Sequence, residues 1–572
     1  MSDKNTEEEI DVDTDNYVFK LPIQYTKHKM LENDIIKNMD FLNYQEMNMP
    51  VLHYIFKPET ILGINMLDQQ AKYYTNNTKF LKETQTLITK LDISLVTNGK
   101  ISSIQLFHEN WSDFKKETSF CEKYLYLDWE PVKFLNNNSD FLQMMSIYNI
   151  SSPILSLLFP ILLLILPFVI IKLKGLPVNI GEYLQILKII AANHTLVKIF
   201  TKFNEVDLSQ KAYYFLSLFF YVFSIYQSIL LSIRFYSNIK KMHDFFTSCY
   251  SFTNHTLEQM DWFIENVKTT TYKPFMKDLR KYREHVSYLH NKLSKIHPFT
   301  ISCKTLFEIG KNWQLFYELY HDITIQETME YCLSFWGYVD NLCGLKNNIT
   351  NKKLNICKFT KKNKMNISNQ YYPVLMDKTY VDNSVTLDNN IIITGPNASG
   401  KTTLLKTTLI NLILSQSVGY GCFKKAVIKP FDYFHCYLNI PDTSGRDSLF
   451  QAEARRCKQI IDSVNHYKKQ RHFCIIDELY SGTNPEDATT SAQAFMDYIS
   501  KKNNIIVFLT THYIDLCYNL KDSPTIQNFC MSTKQSDDKI EFLYKLEPGI
   551  SAIKGGKFIL NEMNYPDEIL NY

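Results

Sequence analysis

The chain has almost no surplus charge. Its 62 Lys and Arg stand against 59 Asp and Glu, a net of +3, so composition alone gives no electrostatic case for a nucleic-acid partner. It also has no C-x-x-C and no paired Cys/His spacing; the 12 cysteines are scattered. That pattern argues against a zinc site or a disulfide framework and reads as reduced structural thiols in a cytosol-facing protein. The N-terminus, MSDKNTEEEIDVDTDN, is acidic and has no apolar core, so no cleavable signal peptide is visible. Residues 1–20 are expected to form a disordered tail. No internal repeat stands out. The 45% hydrophobic and 14% aromatic content exclude disorder of the whole, and 572 residues suggest about three or four units.

Two further stretches lack charge entirely. Ile154 to Ile171 (ILSLLFPILLLILPFVII) ends at Lys172, and Ala212 to Ile233 (AYYFLSLFFYVFSIYQSILLSI) is bracketed by Lys211 and Arg234. A bilayer core of about 30 Å needs roughly 20 apolar residues as helix, so each is long enough to span. Tyr213, Tyr214 and Phe235 suit the water–lipid interface, and Pro160 and Pro167 are better accommodated in a membrane helix than in a soluble one. The competing reading is a pair of very apolar core helices, although a soluble core helix normally keeps a polar stripe. Two spans leave both termini on one side, and the loop then carries Lys172, Lys174, Lys188, Lys198 and Lys202 across, against the positive-inside tendency. A re-entrant hairpin, or an amphipathic segment around Tyr183 to Phe200 on the surface, stays open. Elsewhere in this half the pattern is helical, through Leu62 to Leu95 and Phe252 to Trp336. The lysine-rich Asn351 to Lys364 reads as a solvated linker, with a nucleic-acid patch as the alternative.

The richest chemistry lies in IIITGPNASGKTT, Ile391 to Thr403. A β-branched run, a glycine loop matching G-x-x-x-x-G-K-[ST] and an apolar helical pattern follow one another. This is the order a phosphate-binding loop requires. Backbone N–H groups of Gly395, Pro396, Asn397, Ala398, Ser399, Gly400, Lys401, Thr402 and Thr403, the proline excepted, and the positive helix end can hold phosphate. Lys401 reaches the terminal phosphates, and the Thr402 hydroxyl ligates Mg²⁺. Downstream, HFCIIDELY (His472 to Tyr480) is an apolar strand ending in adjacent carboxylates. Asp477 is placed to hold Mg²⁺, and Glu478 to orient or deprotonate the attacking water. A further strand, Ile505 to Leu509, ends at Thr510, Thr511 and His512, and the histidine is read as a γ-phosphate sensor rather than a structural cap. ATP and Mg²⁺ are the expected cofactors.

These motifs, in this order, resemble the ATPase domain of the MutS family. GPNASGKTT is similar to the family's GPN-x-x-GK-[ST]-T loop, SQSVGYGCFKKA (Ser415 to Ala426) to the segment after the loop helix, and TTHY (Thr510 to Tyr513) to ATHY. SLFQAE (Ser448 to Glu453) resembles the family's STFMVE segment, which implies that Ser448 reaches the nucleotide of the partner subunit. DELYSGTNPEDA resembles DELGRGTS, with Tyr480, Ser481 and Asn484-Pro485 departing from it. The ending from Phe542 looks like the family's closing segment. The resemblance further implies that Tyr380, in TYVDN, stacks on adenine and that Tyr544 forms the opposite wall. It covers about 200 residues from Tyr371 onward, and thins upstream, where LDQQAKYYTNNTKFLKETQTLI from Leu67 is similar to the opening helices of the family's core. The mismatch-reading domain with its Phe-x-Glu wedge has no counterpart.

The resulting expectation is an α/β P-loop NTPase domain of ABC/MutS-like, mostly parallel sheet over 366–572, preceded by an α-helical core and lever. The segments are an acidic tail (1–20), the first half of the core (21–150), an apolar, transmembrane hairpin (151–235, spans 154–171 and 212–233) and the second half of the core (236–365). The leading function is a membrane-anchored MutS-like ATPase, working as a homodimer or as a heterodimer with a related ATPase, with the ATPase domain facing the cytosol. One alternative is a DNA-binding mismatch repair or recombination factor with the same motor. The other is an ABC-type transporter component, against which stand the missing LSGGQ-like segment and too few spans.

Overall fold

A computed structural model describes residues 17–43, 49–92, 98–175, 180–193, 207–296, 303–438, 448–536 and 539–551, with a few isolated positions beyond. The described chain divides into two compact units. One comprises 1–101, 256–284 and 330–572, and the other 102–255 and 285–329.

The first unit contains two sheets. A six-stranded sheet has the order Lys539–Pro548, Ile526–Ser536, Asn390–Thr394, Ile505–Thr510, His472–Asp477, Tyr433–Tyr437. All neighbours are parallel except the edge hairpin of Ile526–Ser536 with Lys539–Pro548. Ile391, Ile392 and Ile393 are fully buried, as a β-branched run is in a strand covered on both faces. The helices Lys401–Ser417, Leu449–His466 and Pro485–Ser500 follow strands of this sheet. Cys457, Ile460, Val464, Ala488, Ala492, Phe495 and Met496 from the last two pack with Cys474, Ile476, Val507 and Leu509 into one core.

The second sheet has five strands, Asn383–Thr386, Asn366–Gln370, Phe423–Ile428, Asn355–Phe359 and Tyr420–Gly421 in that order. It corrects the linker reading of Asn351 to Lys364. Asn355–Phe359 pairs in parallel with Phe423–Ile428, and its lysine is simply the outward-facing residue of an alternating strand. The acidic-tail expectation is also corrected at its end. Phe19 is buried against Phe275 and Tyr331, with ring centroids 6.1 and 5.2 Å away, so order begins before residue 20; residues 1–16 lie outside the described set.

The helical pattern expected from Leu62 to Leu95 forms as Ile61–Lys72 and Thr78–Lys90, interrupted by Tyr73–Tyr74, which pairs with Lys29–Met30; its last residues, 93–95, lie outside the described set. These N-terminal helices pack directly on the sheets. The Gln85 amide donates to the Cys357 and Gly419 carbonyls at 2.9 and 2.7 Å, and the Thr75 N–H donates to the Gln416 carbonyl at 2.8 Å. The helix Ile323–Thr350 approaches Ile61–Lys72 so closely that a Cβ at Gly337 would overlap the Leu62 carbonyl oxygen, and it meets the end of the helix Val51–Phe56, where a Cβ at Gly344 would overlap the Phe56 carbonyl oxygen.

The second unit is helical, with an aromatic core. Phe107 stacks on Phe252 at 4.0 Å, Phe114 on Phe245 at 4.4 Å and Phe120 on Tyr320 at 3.9 Å. The two charge-free segments lie in longer helices, Ser139–Leu173 and Leu208–Asn266. They pair antiparallel through small polar residues. Ser156 and Ser228 hydroxyls are 2.6 Å apart, Ser232 donates to the Ile150 carbonyl at 3.3 Å, and Tyr221 donates to the Leu157 carbonyl at 2.9 Å. Among their described side chains many apolar ones are uncovered: Ile154 is 62% and Phe219 61% exposed, and Leu157, Phe159, Phe215, Phe220 and Ile233 are exposed too. The segment Tyr183 to Phe200 is described only as the helix Ile180–Asn193, in which Tyr183 is buried and Leu184 and Ile189 are exposed.

Candidate active site

The phosphate-loop motif begins where the strand Asn390–Thr394 ends and closes at the helix Lys401–Ser417. Gly395, Ala398 and Gly400 take positive φ values of 151°, 62° and 93°. Such turns point successive N–H groups into one concavity, which favours an anion. Ala398 does so without glycine's freedom. A Cβ at Gly400 would press on the Tyr544 ring at 3.2 Å, which accounts for glycine there.

Lys401 is 6% exposed. Its ammonium donates to the carbonyls of Gly395 at 3.0 Å and Pro396 at 3.1 Å, so the loop's own backbone satisfies it. Burial pulls its pKa below the usual lysine range, opposed by the charges of Glu478 and Asp477. Thr402, one residue on, donates its hydroxyl to Asp477 at 2.8 Å. Thr510 donates to the other Asp477 oxygen.

Strand order brings these groups together. Ile505–Thr510 is inserted between the phosphate-loop strand and His472–Asp477, in register with both. Asp477, Glu478, Thr510 and His512 therefore emerge at the same carboxyl edge as the loop. Glu478 has a φ of 54° and donates its N–H to the Thr510 carbonyl at 3.1 Å. Its carboxylate lies 3.0 Å from His512 Nε2, and the hydrogen bond from that histidine, resisted by partial desolvation, holds the Glu478 carboxyl below the usual range. The same Nε2 lies 3.2 Å from the Lys401 ammonium. One ring nitrogen cannot donate to Glu478 and accept from Lys401 at once. His512 therefore stands as a two-position contact between the lysine and the glutamate.

The other sequence-identified residues are placed less centrally. Tyr380, 42% exposed, stacks on buried Tyr371 at 4.2 Å with 16° between planes. Tyr544, 45% exposed, lies against Gly400. Ser448 is exposed and caps its own helix, accepting from the Gln451 N–H at 3.4 Å, while Gln451 Oε1 accepts from the Ser448 N–H at 3.0 Å. Asn397, Ser399 and Thr403 lie in the loop and its helix start; Ser399 is buried and its hydroxyl has no hydrogen-bond partner among the described residues. Residues 439–447, just before Ser448, lie outside the described set, as does most of the closing segment after 551.

Two residues were not singled out from the sequence. Glu453 is 2% exposed and accepts from the Ser481 N–H at 3.0 Å, the Ser481 hydroxyl at 2.9 Å and the Gly482 N–H at 3.1 Å. It thus fixes the loop that follows Glu478. A carboxylate on the buried side of an amphipathic helix was the available signal. Thr510 was seen only as the end of a strand.

The donor set fits Mg-ATP. A hydroxyl and a carboxylate oxygen already in contact are what Mg²⁺ uses when phosphates and waters complete its octahedron. Among the described residues no group of three or more His, Cys, Asp or Glu forms a protein-only metal cage. The eleven cysteines with described side chains are all unpaired.

Residues 391–572 match the family model of MutS domain V, so the MutS resemblance holds over the ATPase domain. Curated relatives agree. The DNA mismatch repair protein MutS of Staphylococcus haemolyticus is 28% identical over 222 residues, 37% of this chain and 25% of the relative. That of Bacteroides fragilis is 31% identical over 198 residues, 33% of this chain and 22% of the relative. That of Persephonella marina is 26% identical over 210 residues, 36% and 24% respectively. The chain thus matches about a quarter of the length of these relatives.

Proposed function

We propose that this chain, whose residues 391–572 are a MutS domain V, binds and hydrolyses ATP in a dimer with composite sites and is anchored to a membrane by its apolar helix pair. The carrying observation is the convergence of Lys401, Thr402, Asp477, Glu478 and His512 within hydrogen-bond distances at one edge of a parallel sheet. Mg²⁺ bound with the nucleotide would neutralise charge on the phosphate oxygens. The Thr402 hydroxyl and Asp477 carboxylate are the oxygens suited to hold it. Lys401 would leave the Gly395 and Pro396 carbonyls for the terminal phosphates. Glu478 would orient water and accept its proton at the carboxylate. His512, released from Lys401, would face the γ-phosphate, and Tyr380 and Tyr544 would flank adenine. Ser448 would serve the nucleotide of the partner subunit, so turnover would need two chains.

The anchor reading is supported by the exposed apolar faces of Ser139–Leu173 and Leu208–Asn266 and by serine hydrogen bonds between them, a pattern suited to helices packing in lipid. The motor would then face the cytosol and move the helical levers. The relatives are DNA mismatch repair proteins by name, which favours a second reading with the same motor, in which the helical unit grips DNA instead.

Two measurements test these readings. Glu478→Gln should bind ATP yet turn over at least about 100-fold more slowly, and Lys401→Ala should lose ATP binding. Undiminished hydrolysis in Glu478→Gln refutes the assignment. Under alkaline carbonate the full chain should stay with membranes while a version lacking 151–235 is released. Release of the full chain as a soluble dimer that prefers mismatched over matched duplex establishes the second reading instead.

A further inference from the structure

The strand Lys539–Pro548 breaks its ladder beside the phosphate loop. Thr533 faces Phe542 and Met531 faces Leu546, so Leu543, Tyr544 and Lys545 together oppose the single Ser532. Such a bulge leaves backbone groups without ladder partners and re-aims a side chain. Here the re-aimed side chain is Tyr544, whose φ of 54° is unusual for a bulky residue and whose ring rests on Gly400.

The unpaired backbone finds a substitute partner. The Asn383 side chain donates from Nδ2 to the Tyr544 carbonyl at 2.9 Å and accepts the Leu546 N–H on Oδ1 at 2.8 Å. An asparagine amide has the donor and acceptor of a peptide group, so it reproduces two rungs of a β ladder. Next to it Asp382 pairs with Lys545 at 2.8 Å and accepts from the Asn369 amide at 3.1 Å, which ties the same bulge to the second sheet. Asn383 stands three residues after Tyr380, the residue stacked on Tyr371.

We propose that Asn383 is a positioning residue for the nucleotide base. By holding the Tyr544 backbone in its left-handed conformation it sets the distance between Tyr544 and the phosphate loop, and so the width of the slot that receives a purine. This rests on the ATPase reading above. Both polar atoms of the Asn383 amide are engaged by the bulge, so its influence passes through Tyr544. Aspartate in its place keeps the acceptor, loses the donor and adds a charge facing a carbonyl; alanine loses both bonds.

The test uses the full chain, with ATP as the titrant. Asn383→Ala should raise KM for ATP roughly tenfold, about 1.4 kcal/mol, while kcat changes less than about twofold. Tyr544→Ala should do the same, and the double variant Asn383→Ala/Tyr544→Ala should be no worse than Tyr544→Ala alone. In a Tyr544→Trp background, ATP should quench the tryptophan, and Asn383→Asp, which retains one bond and the shape, should reduce that quench. Multiplying effects in the double variant overturn the proposal. So does an unchanged KM in Asn383→Ala, or an unchanged quench in Asn383→Asp should the alanine variant not fold. If the parent protein binds ATP and Lys401→Ala abolishes it while the Asn383 variants are silent, only this inference fails. If the parent binds no ATP, the ATPase reading falls and takes this inference with it.

Discussion

His435 and His472 lie edge to edge and nearly coplanar in the sheet core, with 8° between their planes, ring centroids 5.3 Å apart and His435 Nε2 3.0 Å from His472 Nδ1. Burial, with smaller contributions from His472 and Arg456, pushes the His435 pKa down from 6.5 to about 3. Between those values the unfolded chain binds a proton that the folded chain refuses. The stabilising effect is therefore complete above pH 6.5 and is lost as pH falls toward 3. Denaturation midpoints followed over pH 4–6 should show a slope of up to about 1.4 kcal/mol per pH unit from this one group. His435→Gln, which can still hydrogen-bond but does not titrate, should flatten it; an unaltered slope counts against the assignment. The pair was invisible in the sequence because its members, in HCY and RHF, meet only through strand pairing. Lys401, Thr402, Asp477 and Glu478 were visible because their chemistry is written into short local motifs.

At the scale of elements, glycines inside helices mark where backbones touch. Glycine costs about 1 kcal/mol relative to alanine in a helix interior, so its presence needs a packing reason. At Gly344 a methyl group would overlap the carbonyls of Phe56 and Lys57, whereas at Gly99, in the first turn of Asn98–Lys116, nothing among the described residues lies within 4 Å. Gly344→Ala should therefore destabilise by about 1–3 kcal/mol while Gly99→Ala is neutral or stabilising, as thermal unfolding of the two variants would show. Similar losses at both sites refute the contact. In the apolar pair, Phe223 is exposed on the helix Leu208–Asn266. Under the anchor reading Phe223→Arg should impair insertion by about 2.5–3.5 kcal/mol, seen as protein released by carbonate. An arginine variant that extracts like the parent speaks against a lipid-facing Phe223. Helix type in these segments was plain from apolar runs. The strand Asn355–Phe359 was not, because five residues flanked by lysines on both sides look like a solvated linker until Phe423–Ile428 is beside them.

At the scale of the whole molecule, the composite-site reading makes a prediction that no single chain can satisfy. Mixing Lys401→Ala subunits with Ser448→Ala subunits should leave at most one working site per mixed dimer. The activity of mixtures should then deviate from the sum of the separate proteins as the ratio is varied. Full ATPase activity in a monomer, checked by light scattering at the assay concentration, excludes the arrangement. In the single chain Ser448 only caps its own helix, which is what an N-terminal serine does without a partner.

The sequence by itself determined the kind of chemistry: a loop with the spacing of phosphate binding, adjacent acids at a strand end, a histidine after two threonines, and two stretches without charge. Each is local, so backbone periodicity and residue type suffice to read it. Tertiary structure decided which of them meet. Inserting Ile505–Thr510 between the two motif strands is what sets Thr510 and His512 against Asp477, Glu478 and Lys401. Strand order is not encoded in spacing, because hydrogen-bonded neighbours are chosen by packing among distant segments. The same holds for Glu453 under the 481–482 loop and Asn383 on the bulge, whose partners lie 28 and 161 residues away. It holds too for the exposure of the apolar helices, since only the folded chain shows that nothing described covers Ile154 or Phe219.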